Sequence, residues 1–278
     1  MIVWLNGEFL DDSAASLPAT GAGVLLGWGV FSTLGVRDGR PLAARRHLAR
    51  LRRDAAKLEI EFPFDDDTLR AALGEVIARN ALENGIARIT LARRGDGRWN
   101  REAGSDCSII VQAASPSQRN GLRVALSPFR LDARRALAGV KSTSYMEHQL
   151  AWMEAHERGF DEAILLNQIG AVCEASRANV FWVRGGDLFT PSLESGCLPG
   201  IGREIVLEAA AQLSIPAHQG LFSVTELCSA DEVFLTSATS GPRGVEKLAS
   251  DDLDCDFSAP GDVTRTLQKW WDAMSPEF

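Results

Sequence analysis

The sequence predicts a mixed fold, α/β or α+β, divided into two domains. Three observations carry this. A chain of 278 residues, 45% of them hydrophobic, can bury a large core and suits one large domain or two of moderate size. Strand-like runs and helical apolar stripes both recur along its length. A polar stretch rich in turn residues, Ala114-Ser115-Pro116-Ser117-Gln118-Arg119-Asn120-Gly121, interrupts them. The expected domains are therefore 1–114 and 122–278, joined by a linker at 115–121.

The elements follow in order. Residues 2–10 alternate around Asn6-Gly7, a dipeptide that tolerates a tight hairpin turn. Val30 to Val36 is β-branched and aromatic and runs into the turn signal Arg37-Asp38-Gly39-Arg40-Pro41. Leu48, Leu51, Ala55 and Leu58 recur at helical spacing and predict an amphipathic helix over 44–59. Asp65 to Asp67 can cap a second helix with the stripe Leu69, Leu73, Val76 and Ile77. Strands are expected at 86–92, 107–113, 122–126, 161–167, 179–184, 187–190 and 231–236. Helices are expected with Met146, Leu150 and Met153 as one stripe, and with Ile201, Ile205, Ala209 and Leu213 as another. The tail containing Trp270-Trp271 reads as a last helix, and residues 236–244 as a Thr/Ser-rich loop.

Charge narrows the partners. A formal charge of −8 and a pI near 5.1 argue against nucleic acid, whose phosphates are bound by basic faces. No apolar run approaches the roughly 20 residues that span a bilayer, and no secretory leader is evident, so a cytoplasmic protein acting on a small molecule is expected. The cysteines at 107, 173, 197, 228 and 255 are odd in number and lack any Cys-x-x-Cys pair. They read as reduced, mostly buried thiols, with no disulfide framework and no metal site.

Two segments carry the chemistry: Val140-Lys141-Ser142-Thr143-Ser144-Tyr145-Met146-Glu147, and Cys173-Glu174-Ala175-Ser176-Arg177-Ala178-Asn179-Val180-Phe181-Trp182. A lysine amine can hold an aldehyde cofactor as a Schiff base, and a carboxylate can keep a pyridine nitrogen protonated so that the ring accepts electrons. A single lysine or glutamate is ordinarily a solvated surface residue. The order of a lysine, a Ser/Thr cluster and helix, Asp161-Glu162-Ala163-Ile164-Leu165-Leu166-Asn167, then Glu174 ahead of Asn179-Val180-Phe181, resembles the class IV aminotransferase family. These are the fold type IV pyridoxal phosphate enzymes, which include branched-chain and D-amino-acid aminotransferases and aminodeoxychorismate lyase.

The resemblance implies a small N-terminal α/β domain, a larger C-terminal domain with a β-barrel-like sheet, pyridoxal 5'-phosphate between them and a homodimer. It makes Lys141 the Schiff-base residue, which then shuttles a proton at the substrate α-carbon as a neutral amine, and it pairs Glu174 with the pyridine nitrogen. His47-Leu48-Ala49-Arg50-Leu51 resembles the family's His-x-x-Arg-Leu, which selects Arg50 for the phosphate among five arginines between 45 and 53. Leu198-Pro199-Gly200-Ile201-Gly202-Arg203 resembles Leu-Pro-Gly-Ile-Thr-Arg, with Gly202 in place of threonine; the N–H groups of Ile201 and Gly202 would meet the phosphate. Thr239 is the candidate from the Thr/Ser-rich loop. Leu26-Gly27-Trp28-Gly29-Val30-Phe31-Ser32-Thr33 resembles a substrate-side strand, where Trp28 and Ser32 replace acids and Phe31 stands where D-amino-acid enzymes carry tyrosine. Tyr145, one helical turn after Lys141, is a candidate cofactor contact, and Arg98 a candidate for the substrate carboxylate.

Transamination between an amino donor and a 2-oxo acid is the first expectation. Aminodeoxychorismate lyase is the alternative, since Phe31-Ser32-Thr33, Ala178-Asn179-Val180-Phe181-Trp182 and Gly241-Pro242-Arg243-Gly244-Val245 resemble its segments, with Thr33 assisting proton transfer. A non-catalytic metabolite-binding relative is a third reading, which the retained lysine, glutamate and arginine oppose.

Overall fold

Asn6 and Gly7 both take positive φ, 51° and 105°, as a two-residue hairpin turn demands. They join β1 (Ile2–Leu5) to β2 (Glu8–Asp11). This hairpin opens a computed structural model that describes residues 1–95, 107–115 and 121–276. The described residues divide into two compact units: those of 1–117, 140–145 and 275–278 form the first, and those of 118–139 and 146–274 the second.

In the first unit, a short helix α1 (Ala22–Leu25) precedes β3 (Gly29–Arg37), which turns through Asp38 and Gly39 into β4 (Arg40–Pro41). Two amphipathic helices follow, α2 (Ala44–Lys57) and α3 (Asp66–Arg79), then β5 (Gly85–Arg93) and β6 (Cys107–Ala114). The Asp65 carboxylate accepts the Thr68 N–H at 2.8 Å and so caps α3. Among the described residues the strands form one sheet in the order β2-β1-β6-β5-β3-β4. The predicted stripes Leu48, Leu51 and Ala55, and Leu69, Leu73, Val76 and Ile77, pack on Val30, Leu34, Ala87, Ile89 and Leu91. Strand side chains alternate, so Phe31, Thr33, Arg88 and Thr90 project from the opposite face of the sheet.

Val140–Tyr145 belongs to this first unit, which interrupts the domain expected at 122–278. Backbone pairing is the reason. Ser142 bridges Val30, the Phe31 N–H donates to the Lys141 carbonyl at 2.9 Å, and the Thr143 N–H donates to the Gly29 carbonyl at 2.9 Å. Lys141 is thereby fixed on the strand that carries Phe31.

The second unit runs through β7 (Leu122–Leu131), α4 (Met146–Glu157), β8 (Glu162–Asn167), β9 (Val172–Ala175), β10 (Asn179–Arg184) and β11 (Asp187–Pro191). It continues with α5 (Ile201–Gln212), β12 (Ala217–Gly220), α6 (Val224–Cys228), β13 (Glu232–Ser237), β14 (Gly241–Ser250), β15 (Leu253–Asp256) and α7 (Asp262–Ala273). Its described strands are ordered β12-β11-β10-β13-β14-β7-β8-β9, with β15 beside β14. β7 is parallel to both β14 and β8, which makes the sheet mixed.

Three expectations change here. The stripe Met146, Leu150 and Met153 lies on the exposed side of α4, 65%, 46% and 42% exposed, while Ala151 and Ala155 are buried. The small alanine side chains let α4 approach the sheet. The loop expected at 236–244 is only a turn at 238–240, because Gly241, with φ 61°, starts β14 directly. Cys228 and Cys255, expected as thiols, form a disulfide with Cα atoms 5.7 Å apart. α6 and β15 bring them together across 27 residues, a proximity that spacing alone does not encode. Cys107, Cys173 and Cys197 are buried and lie outside this disulfide. Among the described residues no helix is long and apolar enough to cross a membrane.

Candidate active site

The Lys141 side chain extends into an aromatic bracket. Its Nζ lies 4.8 Å from the Phe31 ring centre and 4.7 Å from that of Tyr145, and it donates to the Tyr145 hydroxyl at 3.4 Å. Phe31 and Tyr145 meet edge to face at 5.5 Å. The Lys141 N–H donates to Asp54 Oδ2 at 3.0 Å, so a buried carboxylate on α2 pins the residue from behind. Three of the predicted residues, Lys141, Tyr145 and Phe31, thus stand together. Thr33 follows two residues along β3, opposite Arg88 in β5.

On the helix-covered face, Arg50 is buried, unlike Arg45, Arg46, Arg52 and Arg53. Its Nη2 donates to Ser32 Oγ at 2.8 Å, and Ser32 Oγ lies 2.8 Å from His47 Nδ1. An arginine can only donate, so Ser32 Oγ accepts from Arg50, and the direction of its bond to His47 Nδ1 depends on which ring nitrogen, Nδ1 or Nε2, carries the proton. That buried Nε2 has no hydrogen-bond partner in the described structure. Burial, with Arg50 and Lys141 nearby, drives the His47 pKa well below its usual value, so the ring is neutral.

In the second unit Glu174 is buried at 4% exposure on β9. Its Oε2 accepts the Leu198 N–H at 2.9 Å, and its Oε1 lies 3.2 Å from His148 Nε2 and 3.9 Å from Arg135 Nη2. Arg135 is itself anchored to the Asp132 carbonyl at 3.1 Å. The flanking thiols of Cys173 and Cys197 are pushed up by burial first and by Glu174 second, which keeps them protonated.

The segment Leu198–Gly202 leads into α5. Asn179 Nδ2 donates to the Leu198 carbonyl at 2.9 Å, fixing the approach. Gly200 caps the helix without a side-chain hydrogen bond, and among the described residues no side chain is seen to accept from the Ile201 or Gly202 N–H. A Cβ at Gly202 would stand 2.7 Å from the Ser237 carbonyl carbon and 3.0 Å from the Ala238 nitrogen. That close approach explains glycine where the related pattern has threonine. It also puts the 237–240 turn against the helix start, with Thr239 Oγ1 and Ser240 Oγ each 2.9 Å from Ser237 Oγ. Thr236 Oγ1, buried at the base of this turn, has no hydrogen-bond partner in the described structure.

Arg98 lies outside the described residues. Sequence reasoning passed over Asp54, Arg88, Arg135 and His148, which no local motif distinguishes, and His47, whose signal was present in the His-x-x-Arg-Leu pattern.

The family model described as amino-transferase class IV matches residues 29–248. A putative branched-chain-amino-acid aminotransferase of Methanocaldococcus jannaschii is 30% identical over 86% of this chain and 85% of its own. An aminodeoxychorismate lyase of Bacillus subtilis is 27% identical, over 85% of this chain and 83% of its own. The crystal structure of the Escherichia coli branched-chain amino acid aminotransferase superposes with a TM-score of 0.91 at 25% identity, covering 99% of this chain and 95% of that one.

Proposed function

The chain belongs to the class IV aminotransferase family, and from that premise we propose that it transfers an amino group between an amino donor and a 2-oxo acid. Members of the family are pyridoxal phosphate enzymes of the fold type IV class. The observation that carries the reading is the Lys141 amine, which rests on two aromatic rings beside the Tyr145 hydroxyl while its backbone is held by Asp54. A fixed amine in apolar surroundings suits the capture of an aldehyde.

The residues present fit the cofactor. In the second unit the uncapped N–H groups of Ile201 and Gly202 and the Thr239 hydroxyl are donors suited to a phosphate, and in the first unit the buried Arg50 guanidinium is another. Glu174, oriented by Leu198, His148 and Arg135, is suited to a protonated ring nitrogen. When bound, pyridoxal phosphate supplies an aldehyde and an electron-accepting ring. Lys141 would hold that aldehyde and, as a free amine, would move the proton at the donor's α-carbon. Tyr145 Oη, 3.4 Å from Nζ, orients that amine. A homodimer in the cytoplasm completes the reading. The lyase reading keeps one specific support: the Thr33 hydroxyl shares a sheet face with Phe31, the position from which it would protonate a pyruvate carbon.

The test is the visible spectrum of the cofactor-loaded protein, recorded before and after mixing with L- and D-amino acids, amines and aminodeoxychorismate. Loss of the visible band with particular amino donors supports transamination and names the donor class. A band that persists with every donor, while aminodeoxychorismate yields pyruvate, replaces it with the lyase; a protein that takes up no cofactor sinks both.

A further inference from the structure

Glu174 and Asn179 flank the turn that joins β9 to β10, a turn closed by the Ala175 N–H donating to the Ala178 carbonyl at 2.8 Å. Both side chains are buried and both reach Leu198. Glu174 Oε2 accepts the Leu198 N–H at 2.9 Å, and Asn179 Nδ2 donates to the Leu198 carbonyl at 2.9 Å. The same carbonyl accepts the Gly200 N–H at 2.8 Å, so the bend into α5 is closed on itself and tied to the sheet by an amide. Only the nitrogen end of that amide can meet a carbonyl, which fixes the direction of the Asn179 side chain. A Cβ at Gly200 would stand 2.1 Å from Asn179 Oδ1. Gly200 has φ −72° and ψ 140°, a backbone that any residue adopts, so glycine makes room for the amide rather than for the turn.

Two groups suited to opposite ends of the cofactor are thereby joined, within the second unit, through one residue. Glu174 is the carboxylate suited to the ring nitrogen, and the N–H groups of Ile201 and Gly202, which follow Leu198 into α5, are donors suited to the phosphate. The far end of this strap is set by Gly202, which packs against the backbone of Ser237 and Ala238. Asn179 pairs in register with Thr236, on the strand β13 that leads to that contact. A ligand that spans both ends binds tightly only if their spacing is held before it arrives, because a strap that moves must be ordered at the expense of affinity. We propose that Asn179 is a positioning residue: by clamping Leu198 it fixes the spacing between the ring-nitrogen carboxylate and the phosphate-binding helix start. The proposal rests on the cofactor assignment above and holds for the transaminase and lyase readings alike.

The experiment uses the full chain freed of cofactor, as wild type, Asn179→Ala, Gly200→Ala and the double variant, with urea midpoints confirming the fold of each. Pyridoxal phosphate, which spans both ends, and pyridoxal, which lacks the phosphate, are titrated by equilibrium dialysis, a readout independent of turnover. Expected is a loss of pyridoxal phosphate affinity of about tenfold in Asn179→Ala, the worth of one hydrogen bond. A similar loss is expected in Gly200→Ala, whose methyl group displaces the amide while Asn179 is still present. Pyridoxal affinity should change by less than about twofold in each, since Glu174 keeps His148 and Arg135 beside it. The double variant should bind like Asn179→Ala, because no amide is left to displace. Pyridoxal phosphate affinity within about twofold of wild type in Asn179→Ala overturns the proposal. Equal losses for pyridoxal and pyridoxal phosphate make Asn179 a structural residue, and additive losses in the double variant show that Gly200 acts without the amide; either result rejects the clamp. If Asn179→Ala does not fold, the ratio of the two affinities in Gly200→Ala decides alone. A wild type that takes up no pyridoxal phosphate overturns the cofactor assignment itself, whereas variants that match a wild type that binds it overturn only the spacing role.

Discussion

Replacing Asp54 by alanine should loosen Lys141 without touching its side chain. Asp54 is 2% exposed and its Oδ2 accepts the Lys141 N–H at 3.0 Å. Its Oδ1 receives Arg53 Nη2 at 2.8 Å and Nε at 3.1 Å. In Asp54→Ala the Lys141 N–H loses its acceptor, which costs about 1–3 kcal/mol for a buried donor. Arg53 is 53% exposed, so the second pair contributes at most about 1 kcal/mol. Removing a desolvated carboxylate offsets part of this, leaving about 2 kcal/mol net. Asp54→Asn keeps an oxygen for the Lys141 N–H and should lose about 1 kcal/mol. Urea unfolding of the cofactor-free proteins measures both values without the contribution of ligand binding. Amide hydrogen exchange at Lys141 should accelerate in Asp54→Ala and remain slow in Asp54→Asn. Equal destabilisation by the two substitutions, or unchanged exchange at Lys141, would refute the idea that this hydrogen bond positions the lysine.

Three other outcomes are expected. Glu174→Gln exchanges a carboxylate for a neutral amide beside Arg135 and His148, and turnover should fall on the order of 100-fold, as for loss of a preorganised charge at a reacting ring; a fall under threefold contradicts the role given to Glu174. His47 has its folded pKa depressed by burial, so its contribution to stability is complete above the unfolded value and is lost as pH falls. The unfolded chain takes up a proton below about pH 6.5, and stability should drop by about 1.4 kcal/mol per pH unit from there towards the folded pKa, a slope that Asn at position 47 removes. Thiol titration in urea should count three free cysteines before reduction and five after. Loss of the Cys228–Cys255 bond, which closes a loop of 27 residues, should cost about 3–4 kcal/mol of stability, and five thiols without reductant would show that the bond is absent.

Local pattern reaches far in this chain. Periods of two and of about 3.6 residues marked β5, α2 and α5 within a residue or two at most ends. β5, α2 and α5 bury one face, which the apolar spacing records, whereas β3 is buried along both faces and was marked by its β-branched and aromatic content. Lys141, Glu174 and Arg50 were legible as residues because each sits in a short, distinctive context. Their partners were not. Asp54 meets Lys141 across 87 positions, Leu198 meets Glu174 across 24, and Cys228 meets Cys255 across 27. The α4 stripe shows the limit from the other side, since its larger apolar residues are exposed and its alanines buried.

The sequence by itself determined where most helices and strands lie, and which lysine, carboxylate and helix start match the family's motifs. Tertiary structure alone decided that Lys141 joins the N-terminal unit, that Gly202 must lack a side chain, and that β3 and β5 pair in the register that sets Arg88 opposite Thr33. The physical reason is that a period of hydrophobicity encodes which face of an element is buried. Strand register, backbone approach and the partners of buried polar groups arise only when residues distant in the chain pack against one another.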